Sequence, residues 1–386
     1  MRVAIITETF LPKVDGIVKV TCLLLDHLSR RGVEALIIAP RYGDSRRYND
    51  VPICSLPSLA LPLYPEARLG LATLALFRDL AAFNPDVAHL FHPVMTGIPT
   101  MGMLKWMGIP TVTSFHLDYA RLAKQFRIGL VDLGFTRPII DELTKKVFNW
   151  SDYSLAPSKL VQSQMRQLGI SNVGLWRRGV DAQAFHPGFR SAAMRDEMTG
   201  GNRDETVLIY VGRLSHEKQI EHIGPALESL PNTRLVLVGD GPARPDLERA
   251  FAGLSVTFMG YLRGERLSQA YASADIFVFP SRLETFGLVV IEAMAAGLPV
   301  VAARVGGVSD IVTEGVTGYT FDSGDTRALT EGIAKIAADR DVMRAMGAQA
   351  RAFAETQSWE AIMDEVIDVY AALIAEKSPQ MMKNVL

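Results

Sequence analysis

The chain has 386 residues, enough for two domains of ordinary size, and its 48% hydrophobic and 21% charged content excludes a disordered chain. A formal net charge of −2 supplies no global field for nucleic acid. The two cysteines, Cys22 and Cys54, lack metal-ligand spacing, and no uninterrupted apolar run approaches the roughly 18 residues of a membrane span. A reducing, cytoplasmic setting is the simplest reading, with any membrane contact peripheral. The opening MRVAIITETF carries one basic residue and a short apolar run, so it reads as a first strand rather than a signal peptide.

Residues 3–6 form that strand. A loop with Pro12 and Gly16 follows, then a helical pattern over 17–31 capped by Gly32, then a strand over 35–39. This is a βαβ unit, and ligands bind at the C-terminal ends of such strands. Residues 59–83 begin as a Pro-rich apolar segment, either a buried connection or an exposed hydrophobic loop, and end as an amphipathic helix. Strands are expected at 86–91 and 111–115, the second ending at His116 with Asp118 close behind. In residues 119–150, which open on Tyr119, the cations Arg121, Lys124 and Arg127 fall three apart among Leu122, Phe126, Ile128 and Leu130, followed by Lys145, Lys146 and Trp150. Such a basic amphipathic surface reads as an interfacial membrane helix or, equally, as a solvated helix face. A strand at 153–156 leads into a helix beginning at Ser158 and Lys159. Residues 188–204 are polar and lack a strand pattern, so they read as a linker and place a domain boundary at 190/191.

The second half restarts with a strand at 206–211 and the loop GRLSHEKQI. Arg213 lies just after the strand and Lys218 opens the next helix in this reading. Two cations at a strand–loop–helix junction either neutralise a diphosphate or are simply a surface pair. A strand at 235–238 precedes the glycine turn GDGP, and a strand at 256–258 precedes Gly260, Tyr261 and Leu262. Residues 304–311 and 315–322 are expected to continue the sheet. An amphipathic helix over 359–376 and a loose tail end the chain.

The densest signal is residues 275–297, DIFVFPSRLETFGLVVIEAMAAG. An apolar run at 276–279 reads as a buried strand, a polar turn follows, and a helix closes at Gly297. Glu284 sits in the turn. Glu292 lies within an otherwise apolar helix, where an unpartnered charge costs several kcal/mol. A helix N-terminus between them, at Phe286, Gly287 and Leu288, offers backbone N–H groups and a positive dipole end to a phosphate. A nucleoside diphosphate-sugar fits this spacing. The sugar would lie at Glu284, the diphosphate at the helix end and the ribose at Glu292, because carboxylates accept what hydroxyls donate.

The run SRLETFGLVVIEAMAAGLPVVAARVGG resembles the signature of glycosyltransferase family 4, retaining enzymes of the GT-B fold. That resemblance implies an α/β chain of two Rossmann-like domains whose parallel sheets face a central cleft. Residues 1–190 would be the acceptor- and membrane-facing domain and 191–357 the nucleotide-sugar domain, while 358–386 would be a helix crossing back to the first. It implies a donor site of Gly16, Arg213, Lys218, Gly260, Tyr261, Leu262, Glu284, Phe286, Gly287, Leu288 and Glu292. His116, Glu284, Arg213 and Lys218 would be catalytic. Asp118, Tyr119, Arg121, Lys124, Phe126 and Arg127 would face acceptor or membrane. FLPKVDGIVKV, LPLYPEARLGL, SFHLDY, WRRGVDAQAFHP, YVGRLSHEKQIEHI and DIVTEGVTGYTFD look most like sulfoquinovosyltransferases. These move sulfoquinovose from a UDP-sugar to diacylglycerol at the inner face of the cytoplasmic membrane. Glucosyl-, galactosyl- and mannosyltransferases acting on such lipids share much of the pattern. A soluble-acceptor transferase, a nucleotide-sugar epimerase on the same fold and a catalytically dead binding protein are the rival readings. No D-x-D-type motif stands in a suitable place, so neither metal nor other cofactor is expected, and no nucleic-acid partner.

Overall fold

The central strands are short runs of Val, Ile, Leu and Ala buried on both faces, the pattern of parallel sheets covered by helices on each side. The computed structural model describes all residues except 14–15, 42–44, 62–63, 92, 94–95, 117–126, 129–130, 133–136, 285–286 and 385–386. The chain divides into two compact units, Met1–Arg177 with Glu360–Leu386, and Arg178–Trp359.

In the first unit the elements run β1 (Arg2–Thr7), α1 (Gly16–Arg30), β2 (Glu34–Pro40), β3 (Arg47–Tyr48), β4 (Val51–Leu56), β5 (Ser58–Leu61), β6 (Tyr64–Gly70), α2 (Leu74–Phe83), β7 (Val87–Phe91), α3 (Gly97–Trp106), β8 (Thr111–Ser114), β9 (Arg127–Ile128), β10 (Val131–Asp132), α4 (Arg137–Trp150), β11 (Tyr153–Ala156), α5 (Lys159–Gln167) and β12 (Val173–Leu175). The main sheet has the order β12-β11-β8-β7-β1-β2-β4-β3. Its pairs are parallel apart from the edge pair β3–β4. Two expectations change here. The Pro-rich segment is an antiparallel hairpin, β5 with β6, rather than a loop. Arg127 opens a second small hairpin, β9 with β10, so the basic stripe does not continue as helix through it. β-branched Ile128 and Val131 favour that extended pairing.

The second unit runs α6 (Ala192–Thr199), β13 (Thr206–Val211), α7 (Gly224–Ser229), β14 (Thr233–Val238), α8 (Arg244–Ala250), β15 (Val256–Gly260), α9 (Gly264–Ser273), β16 (Ile276–Phe279), α10 (Leu288–Ala295), β17 (Val300–Ala303), α11 (Val308–Ile311), β18 (Gly318–Phe321), α12 (Thr326–Ala337) and α13 (Arg340–Glu355). Its sheet is wholly parallel, in the order β15-β14-β13-β16-β17-β18. This is the doubly wound order, which reverses direction between its first strand, β13, and its fourth, β16. Residues 308–311 are helix, not strand: they lie in the connection between β17 and β18, and the sheet resumes only at Gly318.

The domain boundary falls at 177/178, not 190/191. Residues after 178 are tied to the second unit by Ser268 Oγ donating to the Ala184 carbonyl (2.6 Å) and Arg351 Nη1 donating to the Phe185 carbonyl (2.6 Å). The expected linker is also structural. Met194 and Met198 of α6 enter the core, and buried Arg195 donates to Asp275 Oδ2 (2.7 Å) and the Ser273 carbonyl (2.8 Å).

The last helix spans Trp359–Asn384, so the tail expected to be loose is helical to Asn384. From Glu360 it belongs to the first unit. Asp364 Oδ1 lies 2.7 Å from His27 Nε2, and the Tyr370 hydroxyl lies 2.6 Å from His89 Nδ1. Lys377 Nζ reaches Asp152 Oδ1 at 3.1 Å. Asp152 also accepts from Lys105 Nζ (2.8 Å) and the Thr111 amide (2.7 Å). Burial alone would raise this carboxyl, but the bonds from Lys105, Thr111 and Lys377 together outweigh burial and hold it below its ordinary value.

A depressed carboxyl stabilises the fold above its unfolded value, about 3.9, and that contribution is lost as pH falls through the folded value. Asp152→Asn should therefore cost about 2 kcal/mol at neutral pH, between the values for surface and buried pairs. The gap in Tm between wild type and variant should be full at about pH 6 and close below about pH 4. A gap that stays constant down to about pH 3 would mean that Asp152 acts by packing alone.

Candidate active site

Where the strand order reverses, the connections leaving β13 and β16 part and open a crevice at their C-terminal ends. The loop after β13 carries Arg213 and Lys218, and the loop after β16 carries Glu284. Lys218 does not open a helix. It closes a 3-10 turn, His216–Lys218, and Gln219 follows at φ 50°. Its Nζ lies 5.3 Å from the centre of the Phe279 ring and donates to Glu284 Oε2 (3.1 Å) and the Leu283 carbonyl (3.3 Å).

Glu284 Oε1 accepts from the Gly287 amide at 3.2 Å. Gly287 caps α10 at φ +68°, and a Cβ there would meet Ile311 Cδ1 at 3.3 Å. The sugar-site carboxylate and the phosphate-site helix end, expected side by side, are therefore bonded to each other. Arg213 is exposed, and its carbonyl accepts from the Tyr210 hydroxyl (3.0 Å). Tyr210 is pushed well above its ordinary pKa by burial first and then by the charges of Glu284 and Glu217, so it stays a donor.

Glu292 is 6% exposed on α10. Tyr271 of α9 donates to its Oε2 at 3.2 Å and lies 3.4 Å from the Val289 carbonyl. Burial, and then the Glu292 charge, push the Tyr271 phenol well above its ordinary value. Tyr271 was missed in the sequence reading. The available signal was a tyrosine on the buried side of a helix, whose hydroxyl must find a partner just as a buried glutamate must.

Gly260 ends β15, and its carbonyl accepts from the Gly239 amide (2.8 Å). Exposed Tyr261 donates to the Asp240 carbonyl (3.1 Å), and Leu262 packs on the core edge. A Cβ on Gly239 would stand 1.9 Å from the Gly212 carbonyl oxygen, so that glycine answers to the packing of two loops. Leu288 opens α10. Phe286 lies outside the described residues.

In the first unit Gly16 opens α1. His116 follows β8 and is 1% exposed. Its ring lies flat on Phe91 (4.9 Å, 8°), and Ser114 Oγ sits 2.6 Å from Nε2. The expected histidine is therefore sunk among aromatic rings rather than presented to solvent. Asp118, Tyr119, Arg121, Lys124 and Phe126 lie outside the described residues. Farther along, α4 exposes Ile139, Leu143 and Trp150, with Lys146 beside them. A Cβ on Gly102 of α3 would stand 3.4 Å from the Trp150 ring. One turn on, Trp106 is 79% exposed and packs at 5.5 Å against Phe77 of α2. Among the described residues no helix is long and apolar enough to cross a membrane, and no three His, Cys, Asp or Glu side chains cluster as metal ligands.

The chain is thus a two-unit α/β protein whose second unit gathers cations, a helix end and a carboxylate where its strand order reverses, with a second carboxylate further along that helix. Residues 14–184 match the model of Glycosyltransferase Family 4, and residues 196–353 that of Glycosyl transferases group 1. The chain is 32% identical over 347 residues to the sulfoquinovosyl transferase SQD2 of Arabidopsis thaliana, covering 88% of this chain and 67% of that one. It is 33% identical over 384 residues to a GDP-mannose-dependent alpha-mannosyltransferase of Mycolicibacterium smegmatis, covering 98% and 99%. It is 25% identical to the alpha-monoglucosyldiacylglycerol synthase of Acholeplasma laidlawii, covering 84% and 86%. Among solved structures, sucrose-phosphate synthase of Thermosynechococcus elongatus matches with a TM-score of 0.76 at 23% identity, covering 97% and 99%. The chain belongs to glycosyltransferase family 4, and its fold is GT-B.

Gly287→Ala should cost about 1–2 kcal/mol, because an L-residue is strained in the left-handed region. Thermal denaturation checks this. A variant as stable as wild type would mean that the first turn of α10 relaxes at no cost.

Proposed function

We propose that this enzyme moves a sugar from a nucleotide-sugar to a membrane lipid with retention at the anomeric carbon, and that the pair is UDP-sulfoquinovose and diacylglycerol. The observation that carries the donor half is the group formed by Lys218, Glu284 and the start of α10, beside Glu292 on the same helix. Lys218, Arg213 and the helix end take the diphosphate. Glu284 takes a sugar hydroxyl, and Glu292 takes the ribose hydroxyls. In the reaction the bond from the sugar C1 to the phosphate oxygen breaks and its electrons leave with the phosphate. The acceptor oxygen bonds C1 on the same face, and its proton passes to the departing phosphate. Cations at that oxygen stabilise the charge that develops there, so no divalent metal is required. His116 keeps the role near the reacting sugar that the resemblance implies.

Sulfoquinovose as the sugar is supported by identity to the Arabidopsis transferase. Diacylglycerol is supported by the Acholeplasma synthase. Peripheral contact with an anionic membrane is supported by exposed Ile139, Leu143, Trp150 and Trp106 with Lys146 among them; its location at the inner face of the cytoplasmic membrane is part of the same proposal. A second reading, mannosyl transfer from GDP-mannose, is favoured by the full-length match to the mycobacterial enzyme.

The test is purified protein with diacylglycerol liposomes and UDP-sulfoquinovose, UDP-glucose, UDP-galactose or GDP-mannose, the lipids being read by mass spectrometry. A sulfoquinovosyl product alone is expected. A hexosyl product would move the donor and keep the lipid, and nucleotide release without glycolipid would overturn the membrane reading. Turnover should also persist in EDTA; its loss, with recovery on adding Mg2+, would overturn metal independence.

A further inference from the structure

We infer that Tyr271 is a positioning residue for Glu292 and, through it, for the ribose of the nucleotide; this rests on the assignment of Glu292 to the ribose made above. The two residues stand on different helices, α9 and α10. The Tyr271 hydroxyl is 3.2 Å from Glu292 Oε2 and 3.4 Å from the Val289 carbonyl oxygen, one turn earlier on α10. Its ring is fully buried, with Phe185 edge-on at 5.5 Å and Phe277 at 6.0 Å. A ring packed in this way cannot swing, so its hydroxyl is a fixed point.

A carboxylate carries about four acceptor directions on two oxygens. Tyr271 takes one of them and so sets where the others point. Without that bond the Glu292 carboxylate loses one of the contacts that orient it, and its bonds to the ribose hydroxyls are less well pre-organised. The phenol is a donor only while protonated, and its raised pKa keeps it so throughout the working range.

The test uses UDP, GDP and their 2′,3′-dideoxy counterparts, titrated calorimetrically against wild type, Tyr271→Phe, Glu292→Gln and the double variant. The base bound more tightly supplies the pair that is compared. Wild type should prefer the ribonucleotide by about tenfold or more, the strength of one hydrogen bond to a charged group. Tyr271→Phe should shrink that preference to about threefold while dideoxynucleotide affinity holds. Its donor KM should rise about threefold with little change in kcat. The double variant should discriminate no worse than Glu292→Gln alone, because both substitutions remove one interaction. Phenylalanine keeps the ring in place, so Tm should move by only a few degrees, and Glu292→Gln reads the same bond from its other end. If Tyr271→Phe keeps the full preference, or weakens both nucleotides by one factor, the inference falls and the ribose assignment stands. If wild type itself ignores the ribose hydroxyls, the assignment falls and the inference with it.

Discussion

The ligand end of the second unit depends on the Glu284 carboxylate. It accepts from Lys218, 66 residues earlier, and from the Gly287 amide, three residues later. Two loops and the first turn of α10 are therefore held by one negative group. Both partners are mostly buried, at 18% exposure for Lys218 and 15% for Glu284. Removing either charge would leave the other desolvated and without its ion-pair partner. A diphosphate presents the same chemistry to these donors, oxygens bearing negative charge. In the proposed donor site a diphosphate would compete with Glu284 for Lys218 and the helix end, which would couple donor binding to the geometry of that carboxylate.

The first unit solves the same topological problem differently. Its sheet also reverses between its first strand, β1, and the parallel neighbour β7. The helix that follows β7, α3, has its N-terminus met by Glu8, which accepts from the Thr96 and Gly97 amides, each at 3.0 Å. That glutamate comes from the loop after the first strand. In the second unit the glutamate comes from the loop after the fourth strand and is shared with a lysine. A helix end already neutralised by a carboxylate attracts a second anion weakly. In the second unit the helix end is likewise met by a carboxylate, but Lys218 pairs with that carboxylate and exposed Arg213 stands nearby, so the local charge is less negative there.

The strands were legible because each is a dense apolar run; residues 276–279 were expected as a strand, and β16 is Ile276–Phe279. The position of the two carboxylates around a helix start was legible for the same reason, since the helix between them is apolar throughout. Their partners were not. Tyr271 lies 21 residues before Glu292 and reaches it only because α9 packs beside α10. The bond from Glu284 to Gly287 is local, but nothing in the pattern of a polar turn says which way its carboxylate folds. Residues 188–204 read as a linker because their polarity masks two methionines four apart and an arginine whose partners, Ser273 and Asp275, lie far along the chain. Lys218 was expected to begin a helix, whereas Gln219 at positive φ breaks the chain into two short turns.

The terminal helix has a role that the spacing of its apolar residues does not convey. The chain passes between the units twice, at 177–178 and at 359–360. On the side of the second unit these passages are bonded together, the Val180 amide to the Gln357 carbonyl at 2.8 Å. On the side of the first, Arg177 pairs with Glu365. The helix then reaches His89 through Tyr370, and the His89 ring packs at 4.6 Å on Phe91, on which His116 is stacked at 4.9 Å. Trp176, the residue before Arg177, packs at 5.3 Å on His89 and at 5.8 Å on His116. Close-packed rings do not deform continuously, so the seat of the helix and the orientation of His116 are set together. Through Tyr370 the terminal helix is in this sense part of the packing beneath the histidine rather than an appendage to the first unit.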